Sequence, residues 1–225
     1  MPRPTNEPRS DSHARPRGWD TAQRMLQLIL PLLFRMDVQG LGNLPAKGPA
    51  ILTPNHVSWF DVVFIAAYSK TAPVTFAASK WQKVPGISFL LRHFGQAIFV
   101  HRGAPDKHAL KAALAALQAN QVLGIAPEGT RSHDGILRRG HDGAAWLASR
   151  SGAAIIPIAI WGHENVVGGH WLRLRRPLIH FHVGQPFNLP PESRHARIRE
   201  MSVYTEMIMR RIAELLPPER RGPYA

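Results

Sequence analysis

Ala50-Ile51-Leu52-Thr53-Pro54-Asn55-His56-Val57-Ser58-Trp59-Phe60-Asp61 runs from an apolar segment through a proline to a His and an Asp five places apart. Residues 50–53 read as a short apolar strand that Pro54 ends, because proline lacks a ladder donor and keeps the residue before it extended. A helix then starts around Val57–Ser58, and Asp61–Tyr68 reads as its buried body. In a regular helix five residues subtend about 140°, so His56 and Asp61 would not share a face. With His56 on the loop at the helix mouth and Asp61 one turn inside, the carboxylate can reach back to the imidazole. That offers a general base and a group to orient it. A second His-x4-Asp, His101 to Asp106, exists in the chain, so spacing alone does not choose between them.

Outward from this stretch the chain keeps alternating. Strands are expected at 74–77, 97–100, 122–126, 154–160 and 179–183, with helices at 86–93, 105–119, 141–151 and 197–216. The helix at 105–119 has proline in its first turn and Leu110, Leu114 and Leu117 at helical spacing. Gly152 closes the next one, and Pro217-Pro218 stops the last. Apolar strands between helices predict an α/β single domain, a central, largely buried sheet flanked by helices. Pro157, inside the strand 154–160, predicts an edge or a bulge there.

Before this domain, residues 1–18 are rich in Arg, Pro, Ser and Asp and read as a disordered basic arm. Residues 19–36 form an amphipathic helix, apolar around most of its circumference, with Trp19 at its start and arginines flanking it. Its apolar run is too short to span a bilayer, and the pattern suits a helix lying in a membrane interface. The alternative is a helix packed on its own domain. The division is therefore arm 1–18, interface helix 19–36, domain 37–216 and tail 217–225.

The chain has 225 residues, 28 Lys+Arg against 15 Asp+Glu, and no cysteine. Disulfides, thiolate metal sites and a Cys nucleophile are excluded. The formal charge of +13 favours a polyanionic partner, nucleic acid or an anionic lipid surface.

Three further motifs follow the first. Phe99-Val100-His101-Arg102 brings an arginine out of a strand end. Pro127-Glu128-Gly129-Thr130-Arg131-Ser132 directly follows a buried strand, where α/β folds place ligands. Gly129 allows close backbone approach, Arg131 can grip a phosphate bidentately, and Thr130 and Ser132 can donate to its oxygens. Alone, this loop reads rather as a capped turn than as a ligand site. The fourth piece is Ile156-Pro157-Ile158.

In order and spacing, these four pieces resemble the glycerolipid acyltransferase family typified by 1-acyl-sn-glycerol-3-phosphate acyltransferase, over roughly residues 37–190. The ordered set selects His56–Asp61 over His101–Asp106. The chain departs from the family pattern at His101, at Ala126, and at Gly140-His141-Asp142-Gly143, where Phe-Lys-x-Gly is common.

The resemblance implies transfer of an acyl group from a thioester, on coenzyme A or acyl carrier protein, to a glycerol hydroxyl of a membrane lysolipid. It implies His56 as base and Asp61 as its orienting carboxylate. Arg102, Glu128, Gly129, Thr130 and Arg131 would hold the phosphoglycerol head, with Glu128 orienting an arginine or a hydroxyl. No cofactor and no metal are implied beyond the thioester co-substrate. The partners expected are the lipid substrate, the acyl carrier and an anionic membrane surface, with peripheral membrane association at the cytoplasmic face.

Competing readings fit less well. A nucleic-acid module would interleave aromatic platforms among its basic residues, and none is visible. A hydrolase would carry a Gly-x-Ser-x-Gly elbow, which is absent. An acyltransferase acting on glycerol-3-phosphate or a lyso-aminolipid is the nearest alternative. His180 and His182 share a strand face, a metal-compatible spacing with no carboxylate close in sequence. His163, His170 and His195 lie in polar stretches and read as solvated.

Overall fold

The computed structural model describes residues 16, 18–79, 96–100, 106–164 and 176–225. The helix expected at 86–93, the basic arm other than Pro16 and Gly18, and Arg102 lie outside them. In chain order the elements are α1 (Trp19–Leu33), β1 (Arg35–Gln39), β2 (Ala50–Pro54), α2 (Phe60–Tyr68), β3 (Val74–Ala78), β4 (Gln96–Val100), α3 (Lys107–Gln118), β5 (Val122–Gly124), α4 (Gly143–Ser151), β6 (Ala154–Trp161), β7 (Leu178–Val183) and α5 (Met201–Ala213). The strands form a mixed sheet ordered β1-β7-β6-β2-β5-β3-β4. β6, β2, β5, β3 and β4 run parallel, β7 is antiparallel to β6, and β1 is parallel to β7.

Side chains alternate across the sheet and build two cores. Ala50, Leu52, Ile156, Ile158, Ile160, Ile179 and Phe181 pack with α1 and α2. Ile51, Leu123, Ile155 and Ala159 pack with α3, α4 and α5 on the other face. Central strands buried on both faces need no polar side, which is why they read as continuous apolar runs. Truncating such a residue, Leu123 for example, to alanine would cost about 2–5 kcal/mol.

Local reading fails at three places for tertiary reasons. The helix expected to reach Met36 ends at Leu33, because Arg35–Gln39 pair with Leu178–His182 as an edge strand. Arg176 closes the helix end by donating to the Pro31 and Phe34 carbonyls. Pro157 lies in a central strand, not at an edge. Its carbonyl accepts from Gly184 N–H at 2.9 Å, just beyond the end of β7, so its missing donor falls where the neighbouring ladder has stopped. A Cβ on Gly184 would come within 2.8 Å of the proline ring. The terminal stretch 217–225 is packed rather than trailing: Leu137 N–H donates to Arg220 O, and buried Tyr224 accepts from Gly140 N–H through its hydroxyl.

α1 lies on the domain through a mixed face: Leu30 is buried with Leu26 and Leu33 beside it, and two glutamines also turn inward. Gln23 donates to the Ala66 and Ser69 carbonyls and Gln27 to Ala67 O, satisfying the last turn of α2. Trp19 is buried rather than interfacial. Leu28 and Leu32, 72% and 73% exposed, point outward together with Met25 and Ile29.

Candidate active site

The site is assembled at the C-terminal end of β2. Pro54 cannot donate to the ladder, and Asn55 takes over. Its amide is buried and pairs with the backbone of Ile160 in both directions, accepting at 2.7 Å and donating at 2.9 Å. That fixes the strand exit from which His56 departs.

Two residues of the Pro127–Ser132 loop hold the His56 backbone. Glu128 Oε1 accepts from His56 N–H at 2.7 Å, and Ser132 N–H donates to His56 O at 2.7 Å. The other Glu128 oxygen accepts from Arg138 N–H at 2.9 Å. Glu128 is only 2% exposed. The expectation that it orients an arginine or a hydroxyl at the substrate therefore changes. Its carboxylate is occupied by two backbone amides, one of them that of His56. Burial pushes its pKa up to about 7, opposed by those two hydrogen bonds.

His56 Nδ1 meets Asp61 Oδ2 at 2.8 Å, as the loop-to-helix spacing predicts. The same oxygen accepts from Val57 N–H at 2.9 Å and Ser58 N–H at 3.0 Å, free donors at the mouth of α2. Asp61 is 2% exposed. Its other oxygen accepts from His163 Nε2 at 2.6 Å. Burial works against its ionisation, but the bonds from His163 and His56 outweigh it and hold the carboxyl below its usual range. An acceptor oxygen facing His56 Nδ1 assigns the proton to Nδ1, which leaves Nε2 as the ring nitrogen able to receive one.

His163 corrects the solvated reading: it is 0% exposed. It follows β6 at Trp161-Gly162-His163 and lies edge-on to Phe64 at 5.4 Å. Its Nδ1 is buried without a hydrogen-bond partner among the described residues. With Nε2 facing the Asp61 carboxylate, the ring donates to Asp61 through Nε2. The signal for it was its place just past the end of a strand neighbouring β2.

His56 and Asp61 open into a cavity of about 1310 Å³, large for a single small ligand. Apolar walls come from Trp19 and Leu26 of α1, Val62 and Ile65 of α2, Phe76 of β3 and Leu110 of α3. Gly129 and Thr130 line it, and Arg131 follows them half-buried on the same loop. Gly129 takes a positive φ of 65°, and a Cβ there would approach the His141 ring at 2.9 Å. Lys107 and Lys111, one turn apart on α3, also line the cavity, and no sequence motif had singled them out. Asp106, the alternative carboxylate, is a helix cap, accepting from His108 and Ala109 N–H at 3.1 and 3.0 Å.

The family model described as Acyltransferase matches residues 35–161. A 1-acyl-sn-glycerol-3-phosphate acyltransferase of Bacillus subtilis is 26% identical over 193 residues, covering 84% of this chain and 92% of that protein. One of Borreliella burgdorferi is 29% identical over 136 residues, 59% of this chain. The match spans about half of that relative, 53% of its length. It spans as little as 38% of another, from Arabidopsis thaliana. The crystal structure of the 1-acyl-sn-glycerophosphate acyltransferase PlsC from Thermotoga maritima superimposes with a TM-score of 0.68 at 22% identity, covering 88% of this chain and 79% of that one. It shows the same fold.

Proposed function

The chain belongs to the acyltransferase family, and from that premise we propose that it moves a fatty acyl group from an acyl thioester to the free hydroxyl of 1-acyl-sn-glycerol 3-phosphate, giving phosphatidic acid. The observation that carries this reading is the His56 Nδ1–Asp61 Oδ2 pair at 2.8 Å opening into a largely apolar cavity. A lysolipid hydroxyl is a poor nucleophile at neutral pH and needs a base. His56 Nε2 takes its proton as the oxygen attacks the thioester carbonyl. The tetrahedral intermediate then re-forms the C=O bond and expels the thiolate, which recovers the proton from the imidazolium. Asp61 holds the Nδ1–H tautomer and stabilises the imidazolium through the same contact. Attack is direct, and no serine nucleophile is required.

The apolar walls suit acyl chains. Lys107 and Lys111 line the cavity and supply positive charge for phosphate, Gly129 and Thr130 form the adjoining wall, and Arg131 follows them on the same loop. Arg102 completes the set expected from the motif. Coenzyme A and acyl carrier protein are both candidate donors.

Membrane association follows from α1. No helix among the described residues is long and apolar enough to cross a membrane. The outward row Met25, Leu28, Ile29 and Leu32 is shaped to lie in an interface, beside the exposed Trp59 and Val62 of the neighbouring helix mouth. The net charge of +13 favours an anionic leaflet.

The test is acyl transfer from radiolabelled long-chain acyl-CoA to lysophosphatidic acid in micelles, wild type against His56→Ala. Labelled phosphatidic acid from wild type alone supports the reading; equal turnover by His56→Ala sinks the mechanism. Acyl carrier protein as donor, and glycerol-3-phosphate and lyso-aminolipid acceptors, decide the substrates if lysophosphatidic acid is inert.

A further inference from the structure

His180 and His182 stand two residues apart on β7, so both rings leave the sheet on one face, while Ile179, Phe181 and Val183 fill the α1–α2 core on the other. β1 places Asp37 in register with His180. β6 places Trp161 in register with His180 from the opposite side. The indole stacks on the His180 ring at 4.4 Å and 6°, and meets the His182 ring edge-on at 4.7 Å. His180 Nδ1 and His182 Nε2 converge on a single oxygen, Asp37 Oδ2, at 2.7 and 3.0 Å. Gln39 Nε2 donates to the other oxygen at 3.2 Å and so turns the first toward the rings. All three donor atoms lie within 4.8 Å of one another, and the group is half-buried.

We propose that Asp37, His180 and His182 form a mononuclear site for a zinc-class divalent metal ion. Two imidazoles and one carboxylate are the donor set that zinc and its neighbours take, and the fourth position is left to water. At bond lengths of about 2.0–2.1 Å a tetrahedral ion holds its donors about 3.3 Å apart. The two nitrogen-to-carboxylate separations, 2.7 and 3.0 Å, widen by only about half an ångström to admit it. Three sheet strands fix the donors before the ion arrives, which spares it the cost of ordering them. The ion takes the place of the N–H···O contacts, and each imidazole then carries its proton on the nitrogen that faces away from the ion. The site uses no residue of the His56–Asp61 arrangement and stands independently of the acyl-transfer reading.

The experiment is titration of the full chain, free of any affinity-tag histidines, with Co²⁺ at pH 7.5. One equivalent is expected to saturate visible d–d bands and to quench tryptophan fluorescence through Trp161, and Zn²⁺ is expected to displace it. Zinc at about 100 times its Kd should raise Tm by about 5–11 °C. His180→Ala and His182→Ala should each weaken binding at least about 100-fold, while exposed His195→Ala leaves it unchanged. Asp37→Asn keeps a hydrogen-bonding amide between the rings and should weaken binding as well. Absence of a stoichiometric Co²⁺ spectrum, or binding that persists in the His180→Ala/His182→Ala double variant, overturns the proposal and leaves a hydrogen-bonded clip at the sheet edge.

Discussion

Asp61→Asn separates what the Asp61 charge does from what its geometry does. Oδ2 accepts three N–H groups, from His56, Val57 and Ser58. An asparagine must therefore keep its carbonyl oxygen there, since an NH2 would face three donors. His56 accordingly keeps its Nδ1–H tautomer, and only the negative charge is lost. At 2.8 Å and an effective dielectric constant of 20, a unit charge stabilises the imidazolium by about 6 kcal/mol, or roughly four decades in rate. Partial compensation by the amide dipole brings the expected loss of kcat to about 10³–10⁴-fold.

The amide NH2 would then face His163 Nε2, which must become an acceptor. That moves the His163 proton to Nδ1, which is buried without a partner among the described residues. An unpaired buried donor costs about 1–3 kcal/mol. Tm should fall by about 2–12 °C in a domain of this size. The assays are single-turnover acyl transfer, thermal unfolding, and ¹⁵N-resolved imidazole spectra that report the His56 tautomer. A kcat within tenfold of wild type, or His56 found in the Nε2–H form, would refute the reasoning.

Three further outcomes are expected. His163→Leu removes the bond to Asp61 Oδ1 and should cost about 1.5–3 kcal/mol in urea unfolding, with kcat falling while KM holds; His163→Gln, whose amide can donate from a similar position, should recover most of both. Glu128 has a folded pKa of about 7, above its ordinary value of 4.5, so the unfolded chain ionises first and stability is lost as pH rises through that window. Glu128→Gln should therefore gain about 3 kcal/mol relative to wild type between pH 4.5 and pH 7 or above, and urea titrations that stay parallel across this range would remove the argument. Leu28→Glu with Leu32→Glu should release the protein from anionic vesicles in co-sedimentation without lowering Tm, because neither side chain is buried; unchanged binding would detach α1 from the membrane.

What the sequence determined by itself was what short-range geometry governs. The strand ending at Pro54 and the five-residue reach from His56 to Asp61 involve neighbours in the chain and are found as read, and the helix that follows begins at Phe60, two residues beyond Ser58. The alternation of apolar strands and helices likewise determined the α/β architecture, because a strand buried on both faces leaves an unbroken apolar run. The tertiary structure alone decided what depends on distant partners. His163 reads as solvated from its polar neighbours, yet the strand order buries it against Asp61, 102 residues away in the chain. Asp37 reaches His180 and His182 across 143 and 145 residues, because the parallel register of β1 and β7 sets one strand's face beside the other's. Glu128 reads as a ligand group and becomes a brace, because the backbone amides of His56 and Arg138 arrive from other parts of the chain to occupy it. In α1 the periodicity marks an apolar band wider than one contact face; the carbonyls at the end of α2 attract its glutamines, so Leu30 is buried while Leu28 and Leu32 are left outward.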